Sequence, residues 1–123
     1  MAELSRKSLL LVFRRPAYGS GLARGGYDLA LAAAAFEQPV SLLFMDDGVW
    51  QLLPDQQPGQ IDAKSIESTL ASLPLYDVES LYAEQRSLDA RGLAAADLAA
   101  EVAVVDEARL RELMSSHDQV LVF

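Results

Sequence analysis

The sequence contains no cysteine and a single histidine, His117. Without thiols there is no disulfide, no thiolate nucleophile and no thiolate-bound zinc, and one imidazole makes no histidine cluster, so neither a metal nor a cofactor is expected. Cations are scarce as well. Ten Lys and Arg against 18 Asp and Glu leave a net charge of −8, which excludes the broad basic surface that nucleic acids require for counterion displacement. No apolar run approaches the roughly 18 residues of a membrane span. The run Leu9 to Phe13 is too short for the core of a signal peptide, and Arg14-Arg15-Pro16 follows where a small-residue cleavage site would stand. The expectation is a cytoplasmic protein with no membrane contact and no direct nucleic-acid contact.

What is present is apolar. Of 123 residues, 51% are hydrophobic, and the mean hydropathy is +0.14. The length fits one domain, residues 1–123, with a substantial core. The apolar surplus exceeds what a compact monomer of this size readily buries, which points to subunit contacts. Its organising stretch is Val40 to Pro54, VSLLFMDDGVWQLLP. Val40 to Met45 is nearly continuously apolar and of strand length, the pattern of a parallel strand buried on both faces. Asp46-Asp47-Gly48 breaks it with turn-forming residues, and Val49, Trp50, Leu52 and Leu53 form a short helical turn closed by Pro54.

Taken in order, Ser8 to Phe13 is a first buried strand. A loop follows in which Ser20 caps a helix from Leu22 to Phe36, with Leu22, Leu29, Ala33 and Phe36 at near-helical spacing. With the Val40 strand this makes a βαβ unit. Residues 55–59 read as a surface loop, and a helix capped by Asp62 or Ser65 places Ile66, Leu70 and Leu73 on one face until Pro74 ends it. Val78 to Ala83 is a third strand, Leu88 to Arg91 a short helix with Gly92 at its C-cap, and Ala94 to Ala100 is ambiguous. Val102 to Val105 is a fourth strand, Asp106 caps a helix carrying Leu110, Leu113 and Met114, and Val120 to Phe123 is a fifth strand. The alternation predicts a three-layer α/β/α sandwich around a mainly parallel five-stranded sheet. It does not give the strand order.

Each group that could carry chemistry also has a plainer reading. Gly19, Gly21, Gly25 and Gly26, with Arg14, Arg15 and Arg24, could bind an anion at a helix N-terminus. Their spacing matches no phosphate-binding motif, which favours structural glycines beside a solvated basic edge. Asp46 and Asp47 could serve as general acid and base or hold Mg²⁺, but adjacent carboxylates at a strand end more often form turns and caps. His117 has no recognisable nucleophile to activate and reads as a polar turn. Val49, Trp50, Leu52, Leu53, Tyr76 and Tyr82 sit near strand ends and short helices, where interface anchors are enriched in aromatics.

The run Gly19-Ser20-Gly21-Leu22-Ala23-Arg24-Gly25-Gly26-Tyr27-Asp28, then Asp46 to Pro54, Leu75-Tyr76-Asp77-Val78, Arg91-Gly92-Leu93 and His117 to Phe123 resembles the DsrE/DsrF-like family, its TusC-type members in particular. The resemblance spans nearly the whole chain. It implies a cytoplasmic hetero-oligomer with TusB-like and TusD-like subunits, two copies of each, in the sulfur relay that thiolates the wobble uridine of tRNA. In that family the sulfur rides as a persulfide on a cysteine of the TusD-type subunit near the end of the third strand. Counted back from Arg91-Gly92, the corresponding position falls on Glu84, and a carboxylate cannot form a persulfide. The resemblance therefore implies a non-catalytic accessory subunit. Two alternatives stay open: a DsrF-like subunit in sulfur-compound oxidation, and, from the residues alone, a small phosphate- or nucleotide-binding enzyme.

Overall fold

The computed structural model describes residues 7–16, 22–53, 69–78, 80–98 and 101–123. Its frame is a five-stranded sheet in the order β4-β3-β2-β1-β5, with all four pairings parallel. The strands are β1 (Leu9–Phe13), β2 (Val40–Phe44), β3 (Ser80–Glu84), β4 (Ala103–Val105) and β5 (Gln119–Val122). The helices are α1 (Leu22–Ala35), α2 (Gln85–Ala90) and α3 (Glu107–Ser116). Every residue of β1 and β2 is buried, as continuous apolar runs demand. β2, the strand of the organising stretch, is the middle strand of the five.

The first four strands step in one direction across the sheet, and β5 returns to the far side of β1. Because parallel crossovers are right-handed, steps in one direction keep their connections on one face, and the return step puts its helix on the other. The packing agrees. Leu9, Leu11, Phe13, Leu42, Phe44, Leu81 and Ala83 share a core with α1, with Leu70 and Leu73, and with Leu88 of α2. Leu10, Val12, Leu43 and Val105 pack on the opposite face against Leu113 of α3. The connections leaving β3 and β4 therefore part to opposite faces, which opens a crevice beyond the carboxyl ends of those two strands.

α1 buries only part of the stripe that spacing suggested: Ala33 is in the core and Leu29 packs half-buried against it. Its buried residues are Ala23, Gly26, Tyr27, Ala30 and Ala33, whereas Leu22 is 43% and Phe36 78% exposed. The cause is close packing. A Cβ on Gly26 would lie 2.4 Å from the Phe13 ring, so the helix approaches the sheet through Gly26 and its alanines, with Tyr27 stacked on Phe13, and leaves Leu22 exposed. At the other end, Asp106 accepts a hydrogen bond from the Arg109 N–H at 2.8 Å and caps α3 as expected.

The α-helical residues 69–72 end just ahead of Pro74, as expected, and pass into a 3₁₀ turn, Leu73–Tyr76, that carries Pro74 in its first positions. Other boundaries shift. The short helix starts earlier, at Gln85, with Gly92 in the left-handed region at φ 68 beyond its end. Ala95–Asp97 is a 3₁₀ turn. Ser20, the 55–59 loop, Asp62, Ser65 and Ile66 lie outside the described residues.

Candidate functional site

The crevice begins at Glu84, the last residue of β3 and the N-cap residue of α2. Its carboxylate accepts a hydrogen bond from the Ser87 hydroxyl, whose oxygen accepts the Asp46 N–H at 2.7 Å. Asp46 sits at φ 52, and the bond to Ser87 ties the end of β2 to the first turn of α2. Ser87 is 3% exposed, and this donor–acceptor relay occupies its hydroxyl. Sequence reasoning missed Ser87. Its signal would have been the i, i+3 spacing from Glu84, which places both on one side of a starting helix.

The two neighbouring aspartates are held by cations. Asp46 Oδ2 lies 2.6 Å from Arg14 Nε, and Asp47 Oδ1 accepts from Arg91 Nη2 at 2.9 Å. Arg91 also donates to the Ser87 carbonyl at 3.1 Å. These partly exposed pairs are each worth about 0–1 kcal/mol, but they fix the corner's geometry. Gly48 is required there, since a Cβ would fall 1.8 Å from the Phe13 carbonyl oxygen. The aspartates therefore act as turn residues. Among the described residues no group of three or more His, Asp or Glu is arranged to hold a metal ion.

Between α2 and α3 the crevice widens into a cavity of about 440 Å³ lined by Glu84, Arg86, Asp89, Asp106, Glu107 and Leu110. Four carboxylates face one guanidinium, so the space disfavours anions. With no thiol, its groups can hydrogen-bond and pair charges but cannot accept sulfur covalently. A smaller cavity, about 360 Å³, lies at the end of β1 and is lined by Arg14, Arg15, Asp46 and Val122. It brings together two of the three predicted anion-binding arginines. Arg24 is not among its lining residues and pairs with Asp28 across 3.7 Å. Gly25 and Gly26 belong to α1 rather than to a phosphate-cradling loop, and Gly19 and Gly21 lie outside the described residues.

The predicted interface cluster divides. Val49 and Leu52 are completely buried; the 3₁₀ turn Asp46–Leu52 directs them into the core, which removes them from any docking surface. Trp50 is 37% and Tyr76 53% exposed. Leu53 is half-buried, and Tyr82 is half-buried with the Arg109 guanidinium 5.8 Å from its ring centre. Gln51, which sequence reasoning left unassigned, is the polar pin of this turn: it accepts from the Tyr27 hydroxyl at 2.6 Å and donates to the Arg15 carbonyl at 2.7 Å. Burial pushes the Tyr27 phenol well above its usual range, so it stays a neutral donor.

His117 follows α3 at its C-cap position. Nδ1 lies 2.7 Å from the Leu113 carbonyl, which only accepts, so Nδ1 carries the proton; Nε2 is 3.0 Å from Ser41 Oγ. Ser41 is the second residue of β2, at the opposite end of the strand from the crevice. The pair clamps the end of α3 to the middle strand.

A family model described as the DsrE/DsrF-like family matches residues 7–123. The chain belongs to the DsrE/DsrF-like family. It is 43% identical over 115 residues to a protein TusC homolog of Pseudomonas aeruginosa, covering 94% of this chain and 97% of that one. To a protein TusC homolog of Vibrio vulnificus it is 39% identical over 115 residues, covering 94% and 98%. Its fold matches the crystal structure of the ychN protein from E. coli with a TM-score of 0.78 at 26% identity, over 96% of this chain and 99% of that one. Within the described residues no helix is long and apolar enough to cross a membrane.

Proposed function

We propose that this chain is the non-catalytic TusC-type subunit of a cytoplasmic sulfur-relay complex, assembled with TusB-like and TusD-like subunits, two copies of each, and serving 2-thiolation of the wobble uridine of tRNA. The observation that carries this reading is Glu84: it closes β3 at the mouth of the crevice, where the fold gathers chemistry, in a sequence with no cysteine. A persulfide forms by attack of a thiolate on sulfur. A carboxylate bonded to Ser87 offers no such group, so the chain's contribution is to assemble and position a cysteine-bearing partner. The relatives named TusC homologs support the pathway. Trp50, Leu53, Tyr76 and Tyr82 are the proposed partner contacts, since truncating a desolvated aromatic anchor commonly costs about 2 kcal/mol or more of binding.

The test is co-expression with the TusB-like and TusD-like proteins of the same organism, native mass spectrometry, and incubation with a donor carrying radiolabelled persulfide sulfur. The expected result is a complex with two copies of each chain, with reductant-releasable label on a partner and none on this chain. Releasable label on this chain, or failure to co-assemble, overturns the proposal.

A further inference from the structure

The sheet's outer strand β5 is exposed along its whole length, with Val120 at 36%, Leu121 at 39% and Val122 at 56%. Its backbone is half used. Gln119 and Phe123 donate to the Ser8 and Val12 carbonyls of the inner side, and the Phe123 carbonyl accepts from Arg14. Since parallel ladders alternate, the N–H and C=O groups of Val120 and Val122 point outward, and among the described residues nothing pairs with them. Edge strands are normally shortened, charged or interrupted by proline to prevent sheet extension. The opposite edge, β4, has three residues, with Val105 buried. β5, at four residues, is little longer, but it carries no charge and no proline and presents apolar side chains on both faces.

We infer that β5 pairs antiparallel with β5 of a second copy of this chain, about a two-fold axis through Leu121, making one continuous sheet. The strand is self-complementary in that register. Val120 of each copy faces Val122 of the other, so the outward N–H and C=O groups of both residues are satisfied reciprocally. A two-fold normal to the sheet keeps each face on its own side, aligning the valines on the α3 face and the two Leu121 side chains on the α1 face. The ends match in charge. Val12 is level with Val122, so Arg14 of one copy stands level with the second copy's Asp118, two strand spacings or about 9.6 Å away; each keeps its partner within its own copy, Asp46 and Ser8, so the match is one of opposite charges placed near each other and needs no new ion pair. Arg15 lines the same end of the strand. The contact is isologous and closed, and it requires only this chain, independently of the sulfur-relay reading.

The cysteine-free sequence allows a direct test. Leu121→Cys places one thiol on the axis, opposite its symmetry mate in a non-hydrogen-bonded pair with Cβ atoms about 4.5–5.5 Å apart, close to disulfide geometry. Gln119→Cys places its thiols about four residues, or roughly 13 Å, apart. Under a mild oxidant, Leu121→Cys should yield a covalent homodimer and Gln119→Cys should not, both in the purified chain and in the co-expressed assembly. Val122→Lys, with an unchanged circular dichroism spectrum, should weaken self-association at least roughly tenfold in sedimentation velocity. A chain that stays monomeric at every concentration overturns the proposal. So does cross-linking of Gln119→Cys as fast as Leu121→Cys, or a complex in which Leu121→Cys is shielded and each assembly holds one copy of this chain.

Discussion

β1 and β5 lie side by side and read almost alike, LLLVF against QVLV followed by Phe123. Yet no residue of β1 is more than 4% exposed, while Val120, Leu121 and Val122 are 36–56% exposed. The difference comes from topology. β1 has strands on both sides and helices on both faces, whereas β5 is reached by the one backward step of the chain and ends with an open edge. Hydrophobicity makes a segment a strand; its neighbours in the sheet decide whether that hydrophobicity forms core or contact surface.

The sharpest way to break this comparison is to truncate one residue on each strand. Phe13 is the hub of an aromatic stack, with ring centroids 4.9 Å from Tyr27, 5.2 Å from Phe44 and 5.7 Å from Phe123. Phe13→Ala should destabilise the fold by about 3–5 kcal/mol, the sum of lost transfer energy and an unfilled cavity. Val120→Ala should cost under about 1 kcal/mol in the same urea titration, carried out at a protein concentration too low for association. Equal losses would mean that β5 is as much core as β1, against its exposure.

The strands and their alternation with helices were legible because continuous runs such as Leu9 to Phe13 and Val40 to Phe44 carry the parallel-strand signal directly. Strand order was not, since apolar runs do not record their neighbours. The α1 face is legible only in part for a different reason: Leu22 and Phe36 outweigh Ala23, Gly26 and Ala30 in hydrophobicity, but the sheet selects small residues where the helix comes close to Phe13. Val49 and Leu52 read as interface residues in sequence because a short apolar turn after a strand looks the same whether it folds back or projects. Of the site, Glu84 and the Asp46-Asp47 corner could be named from sequence. Of Ser87 only the spacing from Glu84 was legible, because its bond to Asp46 joins segments 41 residues apart, and the Ser41–His117 clamp was not legible for the same reason.

That close approach supplies the next prediction. Gly25 and Gly26 are adjacent in α1, but a Cβ at Gly25 meets nothing within 4 Å, whereas one at Gly26 meets Phe13 at 2.4 and 2.7 Å and Phe123 at 3.2 Å. Gly25→Ala should therefore stabilise by up to about 1 kcal/mol through helix propensity alone. Gly26→Ala gains the same propensity and loses more. The ring it strikes is locked in the aromatic stack, and overpacking of this kind costs about 1–3 kcal/mol. Opposite signs at neighbouring positions, read as shifts in the urea midpoint, would localise tight packing to β1 and the Phe123 end of β5. Two stabilising substitutions would show that the helix can lift away from the sheet.

The smallest effect lies at the other end of the β1–β5 seam, where the exposed strand is tied to the buried one through Asp118. Its Oδ2 accepts from the Ser8 N–H at 2.8 Å and the Ser8 hydroxyl at 3.1 Å, and its own N–H donates to Ser8 Oγ at 3.0 Å. The Ser8 backbone bond and then the Ser8 hydroxyl bond hold the Asp118 carboxyl below its ordinary value, because both stabilise the charged form. A depressed carboxyl contributes stability that is fully present above its unfolded-state value, near pH 4, and is lost as the pH falls through the lower folded-state value. Ser8→Ala removes the hydroxyl and leaves the backbone donor. Asp118 should then titrate higher than in the unsubstituted chain, yet still below an ordinary aspartate, in an NMR titration of its carboxyl carbon. The stability gap between the two proteins should be small at neutral pH and should narrow below about pH 4. A carboxyl whose titration is unmoved by Ser8→Ala would leave the Ser8 N–H as the one bond that holds it, and the hydroxyl would then add nothing to the polar end of the seam between the exposed strand and the buried one.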